Sequence, residues 1–409
     1  MTKFPVGFWN YQNSDNVWTN QPEEWAELGM TIPMAPNYIP GVSDKTHFYS
    51  ILDKAHINGM KIILRDTRTE AHLLASLGRE AFIDGVKAAL ADFGNHPAVW
   101  GIHIGDEPGK AQYDSFCEAC RIVKELAPDL QPFANLLPWF NGVGSVVGFD
   151  DFGEYLDSFV KDSGVSFLCY DCYAQMNPGD SGWDMYYRNL YYYSESARRN
   201  NIPFWTTLLS IGHFRYRTPN IDDFRWQINT AAAHGAKGIL WFFIYQHTVG
   251  YSNYRNGPVN EHGRKTQSYW DISDNQRTFN NFFGDKLMDL SLVKVQHMGK
   301  SYGGYPLFAG DDVCVKEDGD EYPPMILSYF KDADNRNYVM LTNNSCIESI
   351  HFTLKIKGEN SKIFMFRYGG AEDEISGAQH DNGMMERKNG YVTLPHWFHP
   401  GQAILFRYE

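Results

Sequence analysis

The feature that most constrains the fold is an alternation of short apolar runs with longer amphipathic segments. Eight runs have the length and composition of buried strands: Pro5–Tyr11, Met30–Pro36, Met60–Arg65, Val99–Gly105, Gln131–Leu137, Val165–Tyr173, Pro203–Ile211 and Gly238–Tyr245. The segments between them carry apolar residues at helical spacing, as in His47–Asn58, Glu70–Asn95, Tyr113–Ala127, Tyr186–Asn200 and Phe224–His234. Alternating strands and helices predict a parallel sheet that is covered on both faces. Eight such units favour an α/β fold of the (β/α)8 TIM-barrel type over a doubly wound sheet.

The pattern changes near residue 295, where Gly, Asp and Asn clusters begin to separate short alternating runs. Six of these runs predict antiparallel strands: Met325–Phe330, Asn337–Thr342, Ile350–Ile356, Lys362–Arg367, Tyr391–Leu394 and Ala403–Arg407. We therefore expect a barrel over residues 1–294 and an all-β sandwich domain over residues 295–409. Asn280–Leu290 is predicted to be the last barrel helix. No glycine-rich phosphate loop follows the first run, which argues against a nucleotide-binding fold.

Composition excludes several classes of partner. The net charge is -13 and no Lys/Arg-rich run occurs, so neither nucleic acid nor an anionic membrane surface is expected as a partner. No apolar stretch reaches the roughly 18 residues of a membrane span, so membrane insertion is not expected.

The printed sequence starts directly in a strand-like run, without a signal peptide. A secreted or periplasmic location is favoured if such a peptide has been removed, and a cytoplasmic one otherwise. The pattern makes no prediction of oligomeric state.

The cysteines include two CxxC pairs, which are a spacing of zinc ligands. Cys117 and Cys120 lie in a predicted helix and share a face, whereas Cys169 and Cys172 lie in a predicted strand. Residues three apart on a strand point to opposite faces, so four converging thiolates are not expected. We predict buried, reduced thiols and no metal site.

The fourth apolar run ends in two adjacent carboxylates and a proline, Asp106-Glu107-Pro108. In a barrel of parallel strands this end is the catalytic face. A carboxylic acid beside apolar residues holds a raised pKa and can protonate a leaving oxygen. The alternative is that one of the two acids only caps the next helix. Trp100 and His103 precede the pair within the same run, and this context favours catalysis by Glu107.

The segment Trp100-Gly-Ile-His-Ile-Gly-Asp-Glu-Pro resembles the fourth strand of clan-A-type glycoside hydrolases, in particular β-galactosidase-like members. Four further segments resemble the sixth, seventh and eighth strands of those barrels and the small β domain often appended to them: residues 167–173, 202–210, 231–245 and 391–406. The resemblance implies that Glu107 is the general acid/base of a glycosidase. It also implies a carbohydrate substrate and no cofactor.

One departure from the family pattern concerns the second catalytic acid. The family carries a nucleophilic glutamate at the end of its seventh strand, where this chain has Leu208-Leu209-Ser210-Ile211. Asp171, at the end of the sixth run, is the preferred replacement, followed by Asp66 and Glu261. The separation of the two acids distinguishes a nucleophile, at roughly 5–5.5 Å, from a base that activates water, at roughly 6.5–9.5 Å.

Polar and aromatic residues near the other predicted strand ends are candidate sugar ligands. Aromatic rings pack against the apolar faces of sugars, and polar side chains bind the hydroxyl groups. The candidates for substrate binding are Asn10, Arg65, Asp66, Asp106, Asn135, Tyr173, His213, Trp241 and Tyr245.

Two other functions remain open from the sequence. A carbohydrate-binding barrel that has lost catalysis would account for the missing acid of the seventh run. A metal-dependent hydrolase is disfavoured, because the chain has neither an HxH after its first run nor an HExxH motif.

Overall fold

The structure is a computed structural model that describes residues 3–409 apart from 17–18, 247–251, 318, 320, 377 and 380–382. Contacts divide the chain into two compact units. The N-terminal unit comprises Pro5–Thr218 and Gly238–Ser273, and the C-terminal unit comprises Met1–Phe4, Pro219–Lys237 and Asp274–Glu409. The segment Pro219–Lys237, which precedes the eighth run, therefore groups with the C-terminal residues. The domain boundary at residue 294 remains a prediction.

Seven of the eight apolar runs form strands in the N-terminal unit. They are β1 (Val6–Phe8), β2 (Ile62–Leu64), β3 (Val99–Asp106), β4 (Gln131–Asn135), β5 (Leu168–Asp171), β6 (Phe204–Leu208) and β7 (Ile239–Trp241). They pair in parallel in the orders β1-β7-β6-β5 and β2-β3-β4. The second run, Met30–Pro36, is extended but not a regular strand. Its amides at Ile32 and Met34 donate to β1, and Met34 also bridges Ile63 of β2.

The helices of this unit are α1 (Pro22–Leu28), α2 (Lys45–Ile57), α3 (His72–Leu77), α4 (Arg79–Ala89), α5 (Tyr113–Leu126), α6 (Gly144–Val147), α7 (Phe152–Ser163) and α8 (Trp183–Asn200). A 3₁₀-helix spans Thr67–Thr69 and a short π-helix spans Leu90–Gly94. The single helix predicted over Glu70–Asn95 is therefore interrupted. The break lies at Gly78, whose φ of 88° is a backbone conformation that glycine adopts at little steric cost.

The C-terminal unit contains α9 (Ile221–Ala233) and α11 (Asp285–Leu287), and α10 (Gln267–Phe279) crosses the boundary between the units. The segment Asn280–Leu290, predicted as the last barrel helix, contains a short π-helix over Asn280–Gly284 followed by α11. The strands are β8 (Ser291–Met298), β9 (Met325–Lys331), β10 (Asn337–Asn343), β11 (Ile350–Lys357), β12 (Ile363–Phe366), β13 (Glu372–Glu374), β14 (Ala378–Gln379), β15 (Gly383–Met384), β16 (Glu386–Lys388), β17 (Tyr391–Phe398) and β18 (Ala403–Tyr408).

The strands of this unit form antiparallel sheets, as the alternating pattern predicts. The larger two have the orders β13-β12-β18-β10-β9-β8 and β11-β17-β16. Alternate side chains of both enter one apolar core, for example Leu327 and Val339 from the first sheet and Leu354 and Val392 from the second. Helix α9 is held close to the β18 turn, because a Cβ at Gly401 would lie 2.5 Å from Trp226 Cα.

The four CxxC cysteines are buried, with Cys117 and Cys120 on α5 and Cys169 on β5 as predicted, whereas Cys172 follows the end of β5. Among the described residues, no group of three or more His, Cys, Asp or Glu side chains is arranged to hold a metal ion. In the same part of the chain, no helix has the length and apolar character needed to cross a membrane.

Candidate active site

The carboxyl ends of three neighbouring strands bring polar side chains together. Asp106, Asn135 and Asp171 are the last residues of β3, β4 and β5, and Glu107 follows Asp106 directly. The amide of Glu107 donates to the Asn135 carbonyl oxygen at 2.8 Å, which fixes the turn after β3. Glu107 has a φ of 47°, a left-handed conformation that is strained in a residue with a Cβ. Such strain is concentrated at functional sites, where the surrounding structure maintains it.

Asn135 links two of the carboxylates. Its side chain is 2% exposed, and Nδ2 donates to Asp106 Oδ1 at 3.0 Å and to Asp171 Oδ1 at 2.8 Å. An amide NH₂ presents its two hydrogens about 120° apart, which separates the two acceptor oxygens by about 5 Å. The sequence placed Asn135 at the site but gave no sign that it joins two acids.

Glu107 and Asp171 are in direct contact through a hydrogen bond between their carboxyl groups, which requires one of them to be protonated. Desolvation by the surrounding protein, then the charges of Asp171 and Asp106, raise the pKa of Glu107 to about 8. Desolvation also raises the pKa of Asp171, but the hydrogen bond from Asn135 opposes that shift. The shared proton therefore resides on Glu107, and Asp171 is the better-stabilised anion.

The third acid, Asp106, faces solvent together with Glu107, whereas Asp171 is half-buried. Desolvation and the charge of Asp171 raise the pKa of Asp106 to about 6, while Asn135 and Arg65 lower it. Arg65 Nη1 donates to the Asn10 carbonyl oxygen at 2.8 Å, and its guanidinium lies over the Tyr11 ring at 5.4 Å. The site thus combines three carboxyl groups with one nearby guanidinium.

Aromatic rings surround the acids. Tyr11 and Phe242 follow β1 and β7, are half-buried, and meet edge to face at 6.0 Å. Tyr173 packs against Phe242 at 5.5 Å and against Tyr216 at 5.3 Å. His213 packs on Phe242 at 4.8 Å, and burial lowers its pKa, so it is neutral. Of these five residues the sequence singled out Tyr173 and His213. Tyr11 lies at the end of the first run, and that position was the available signal for it.

Other predicted residues have different surroundings. The Asp66 carboxylate is fully buried and accepts from Arg68 Nε and Nη2 at 3.0 and 2.7 Å, the arrangement of a structural ion pair. Asn10 is buried, and its Nδ2 donates to Asn20 Oδ1 at 3.1 Å. Glu261 is exposed and accepts from Gln246 Nε2 at 2.8 Å.

The two candidate ligands of the eighth run are buried. Trp241 is completely buried. Tyr245 is 4% exposed, and its hydroxyl accepts from Trp25 Nε1 at 2.7 Å. Phe242, between them in sequence, is the residue whose ring joins the aromatic wall beside Tyr11.

The end of the seventh run contributes no acid. Leu208, Leu209 and Ile211 are fully buried, and the backbone amide of Phe243 donates to Ser210 Oγ at 2.9 Å. The carboxylate that contacts Glu107 belongs to Asp171, at the end of the sixth strand-like run.

No protein-family model and no curated protein sequence matches the chain. Similar solved structures include a family 5 glycoside hydrolase from Bacteroides vulgatus ATCC 8482, at 12% identity and a TM-score of 0.58 over 99% of this chain and 89% of that one. A β-galactosidase from Rahnella sp. R3 has 10% identity and a TM-score of 0.55 over 100% of this chain and 99% of that one. The β-galactosidase from Marinomonas ef1 has 13% identity and a TM-score of 0.54 over 70% of this chain and 62% of that one.

These identities establish likeness of fold. The resemblance to clan-A-type glycoside hydrolases that the sequence predicted is confirmed at that level. The chain spans about three-fifths of the length of the Marinomonas enzyme.

Proposed function

We propose that this protein is a glycoside hydrolase with a closed (β/α)8 barrel, in which Glu107 protonates the glycosidic oxygen and Asp171 is the second catalytic carboxylate. The observation that carries the proposal is the hydrogen-bonded group of Glu107, Asp171 and Asp106 at the ends of parallel strands, where desolvation raises the pKa of Glu107 to about 8 and that of Asp106 to about 6. Groups so arranged are typical of acid–base catalysis.

Backbone and core contacts support closure of the barrel. The second run joins β1 to β2. The backbone amide of Leu136 donates to the Cys169 carbonyl oxygen at 2.8 Å, and this hydrogen bond joins β4 to β5. One apolar cluster takes side chains from all eight runs: Trp9, Ile32, Met34, Ile63, Trp100, Phe133, Phe167, Cys169, Trp205 and Leu240. Trp100 of the fourth run stacks on Trp205 of the seventh at 5.2 Å, a contact between distant strands that a closed barrel brings together.

Glu107 is suited to act as the acid. With a pKa of about 8 it stays protonated at neutral pH while remaining open to solvent. In the free site its proton is hydrogen-bonded to Asp171. When a sugar binds, the glycosidic oxygen takes the place of Asp171 as the acceptor, and the proton moves to that oxygen as the carbon–oxygen bond breaks.

Asp171 is suited to attack the anomeric carbon. It is the acid whose ionised form Asn135 stabilises, and it is hydrogen-bonded directly to Glu107. An inverting pair is separated by roughly 6.5–9.5 Å to admit a water molecule, so the contact favours a nucleophile and retention of configuration. Water would then hydrolyse the glycosyl ester, with Glu107 as the base that removes its proton.

The aromatic rings support a carbohydrate as the substrate. Tyr11 lies near Asp106 and Asp171, and Phe242 meets the Tyr11 ring; both rings are half-buried, so each offers part of its surface to the apolar face of a sugar. Arg65 lies next to Asp106 and can donate to a sugar hydroxyl.

The test is hydrolysis of a panel of aryl glycosides and polysaccharides, with product anomers followed by NMR. We expect turnover with retention, and a loss of about 10²–10⁴-fold in kcat for Glu107→Gln and Asp171→Asn. The control is Glu125→Gln on the surface of α5, which should retain full activity. Saturable sugar binding without turnover would refute catalysis and indicate the binding-only barrel. An inverted product would refute the role of Asp171 as nucleophile.

A further inference from the structure

A tight turn follows the seventh run. The backbone amide of His213 donates to the Tyr216 carbonyl oxygen at 3.2 Å, and that of Tyr216 donates back at 2.8 Å. Phe214 and Arg215 therefore form the two-residue tip of a hairpin. Phe214 has a φ of 42°. A positive φ at this position is typical of primed turns, in which glycine, asparagine and aspartate predominate, so phenylalanine is unfavourable here. Backbone strain of this kind is concentrated at functional sites.

Segments that precede and follow the turn in the chain hold it in place. The backbone amide of Phe214 donates to the Ser252 carbonyl oxygen at 3.1 Å, and the backbone amide of Asn177 donates to the Arg215 carbonyl oxygen at 2.9 Å. The Arg215 side chain also forms an ion pair with Asp180 and donates from Nε at 3.2 Å. A ring carried on a turn that is fixed in this way loses little conformational freedom when a ligand binds to it.

The side chain at the tip is exposed, whereas the residue before it is buried. Phe214 is 50% exposed and His213 is 4% exposed, and their ring centroids are 5.5 Å apart. The turn itself does not require an aromatic ring at its tip. An exposed aromatic ring next to a packed one offers a surface to the apolar face of a sugar.

The other end of the turn reaches the catalytic acids. Desolvation, and then neighbouring anions that include Asp171 and Glu107, raise the pKa of Tyr216 to about 12, so Tyr216 lies close to both acids. The His213 ring is 5.0 Å from the Tyr216 ring and 5.5 Å from the Phe214 ring. The Phe214 ring therefore lies within two ring spacings of a residue beside the acids, a separation that linked sugar units can span.

We infer that Phe214 forms a sugar-binding subsite outside the position of the reacting bond, and that the substrate is an oligosaccharide or polysaccharide of more than two sugar units. The inference rests on the proposed glycosidase function. The ring would stack on the apolar face of a sugar unit further along the chain from the cleaved bond. A shorter substrate lacks that unit and forgoes the contact, so the efficiency of hydrolysis should rise with chain length.

The test compares two-unit and four-unit oligosaccharides of β-1,4-linked glucose, mannose, xylose and galactose as substrates of the full-length protein. We expect kcat/KM for the tetrasaccharide of a hydrolysed series to exceed that for its disaccharide by about tenfold or more. Phe214→Asn removes the ring and suits the left-handed backbone of the turn. It should lower kcat/KM for the tetrasaccharide by about tenfold, mainly through KM, with a smaller effect on the disaccharide. Phe214→Trp keeps an aromatic ring and should retain the gain with chain length.

Two controls separate loss of the ring from damage to the fold. Tyr191 is 40% exposed on α8 of the same unit, and it lines a different surface cavity with residues of α7, so Tyr191→Ala should behave as the wild type with both chain lengths. Phe214→Asn should unfold at a urea concentration at least as high as the wild type, because asparagine tolerates the positive φ. A lower midpoint would contradict the account of the turn as strained by its phenylalanine.

The outcomes distinguish this inference from the proposed function. Equal kcat/KM for the two chain lengths, or the same gain with chain length in Phe214→Asn as in the wild type, overturns the inference and leaves the glycosidase function in place. Hydrolysis of aryl monoglycosides without hydrolysis of any of these oligosaccharides has the same meaning. Absence of hydrolysis of aryl glycosides and oligosaccharides alike refutes the proposed function, and the inference with it.

Discussion

Glu107→Gln should remove activity and make the fold more stable at alkaline pH. The pKa of Glu107 rises from an ordinary value near 4.5 to about 8, so the unfolded chain loses this proton at lower pH than the folded one. Stability therefore falls as the pH rises from 4.5 to 8, and the full difference corresponds to about 5 kcal/mol at about 1.36 kcal/mol per pKa unit. Glu107 is open to solvent, and screening reduces this figure. We expect the variant to be more stable by about 1–2 kcal/mol above pH 8 and equal to the wild type below pH 4.5.

The measurement is urea unfolding followed by tryptophan fluorescence at pH 4.5, 7 and 9, for the wild type, Glu107→Gln and Glu125→Gln. A glutamine amide can donate to Asp171 as the protonated acid does, so the contact is retained and only the ionisation is removed. Glu125 is exposed on α5, and its variant should follow the wild type at every pH. A stability gain that is the same at pH 4.5 and pH 9, or no gain at pH 9, would refute the account of the site as one that holds its acid protonated.

Three further outcomes are expected, two from the candidate active site and one from a buried histidine of the C-terminal unit. The kcat/KM of hydrolysis should fall above a pH of about 8, as Glu107 loses its proton, and this alkaline limb is read from a pH–rate profile. Asn135→Leu should lower kcat by about 10–100-fold with a smaller change in KM, and should move the acidic limb to higher pH, because Asp171 loses the donor that stabilises its anion. Burial lowers the pKa of His234 to about 4, so on acidification the unfolded chain takes up this proton at a higher pH than the folded chain does. The free energy of unfolding should therefore fall by up to about 3 kcal/mol as the pH drops from 6.5 to 4. His234→Gln should reduce that acid-dependent loss in urea unfolding, and an unchanged loss would exclude His234 as its source.

The parts of the fold that the sequence predicted are those set by local periodicity. Apolar runs of strand length identified β3 and β5, and their last residues supplied Asp106 and Asp171. The same reasoning placed Asn135, since the carboxyl ends of parallel strands meet at one edge. The alternating pattern after residue 295 likewise predicted antiparallel strands that pack into one core.

What the sequence could not supply depends on contacts between distant residues. The sequence kept Asp66 as a second choice after Asp171, and it could not show that the Asp66 carboxylate is fully buried in an ion pair with Arg68. Trp241 and Phe242 are adjacent aromatic residues, and only the direction of the strand decides that Trp241 is fully buried while Phe242 meets the Tyr11 ring. The φ of 47° at Glu107 has no signature in the sequence, since glutamate gives no indication of a left-handed turn.

The position of the second acid follows from what surrounds each strand end. A carboxylate in place of Leu208, Leu209 or Ile211 would occupy a fully buried position, where desolvation disfavours its charged form. At the end of the sixth run, Asp171 has a donor from the intervening strand and a protonated neighbour two strands away. Two strand spacings are about 10 Å, a gap that two acidic side chains pointing toward each other can close. The proposed pairing of Glu107 with Asp171 therefore needs no acid at the end of the seventh run.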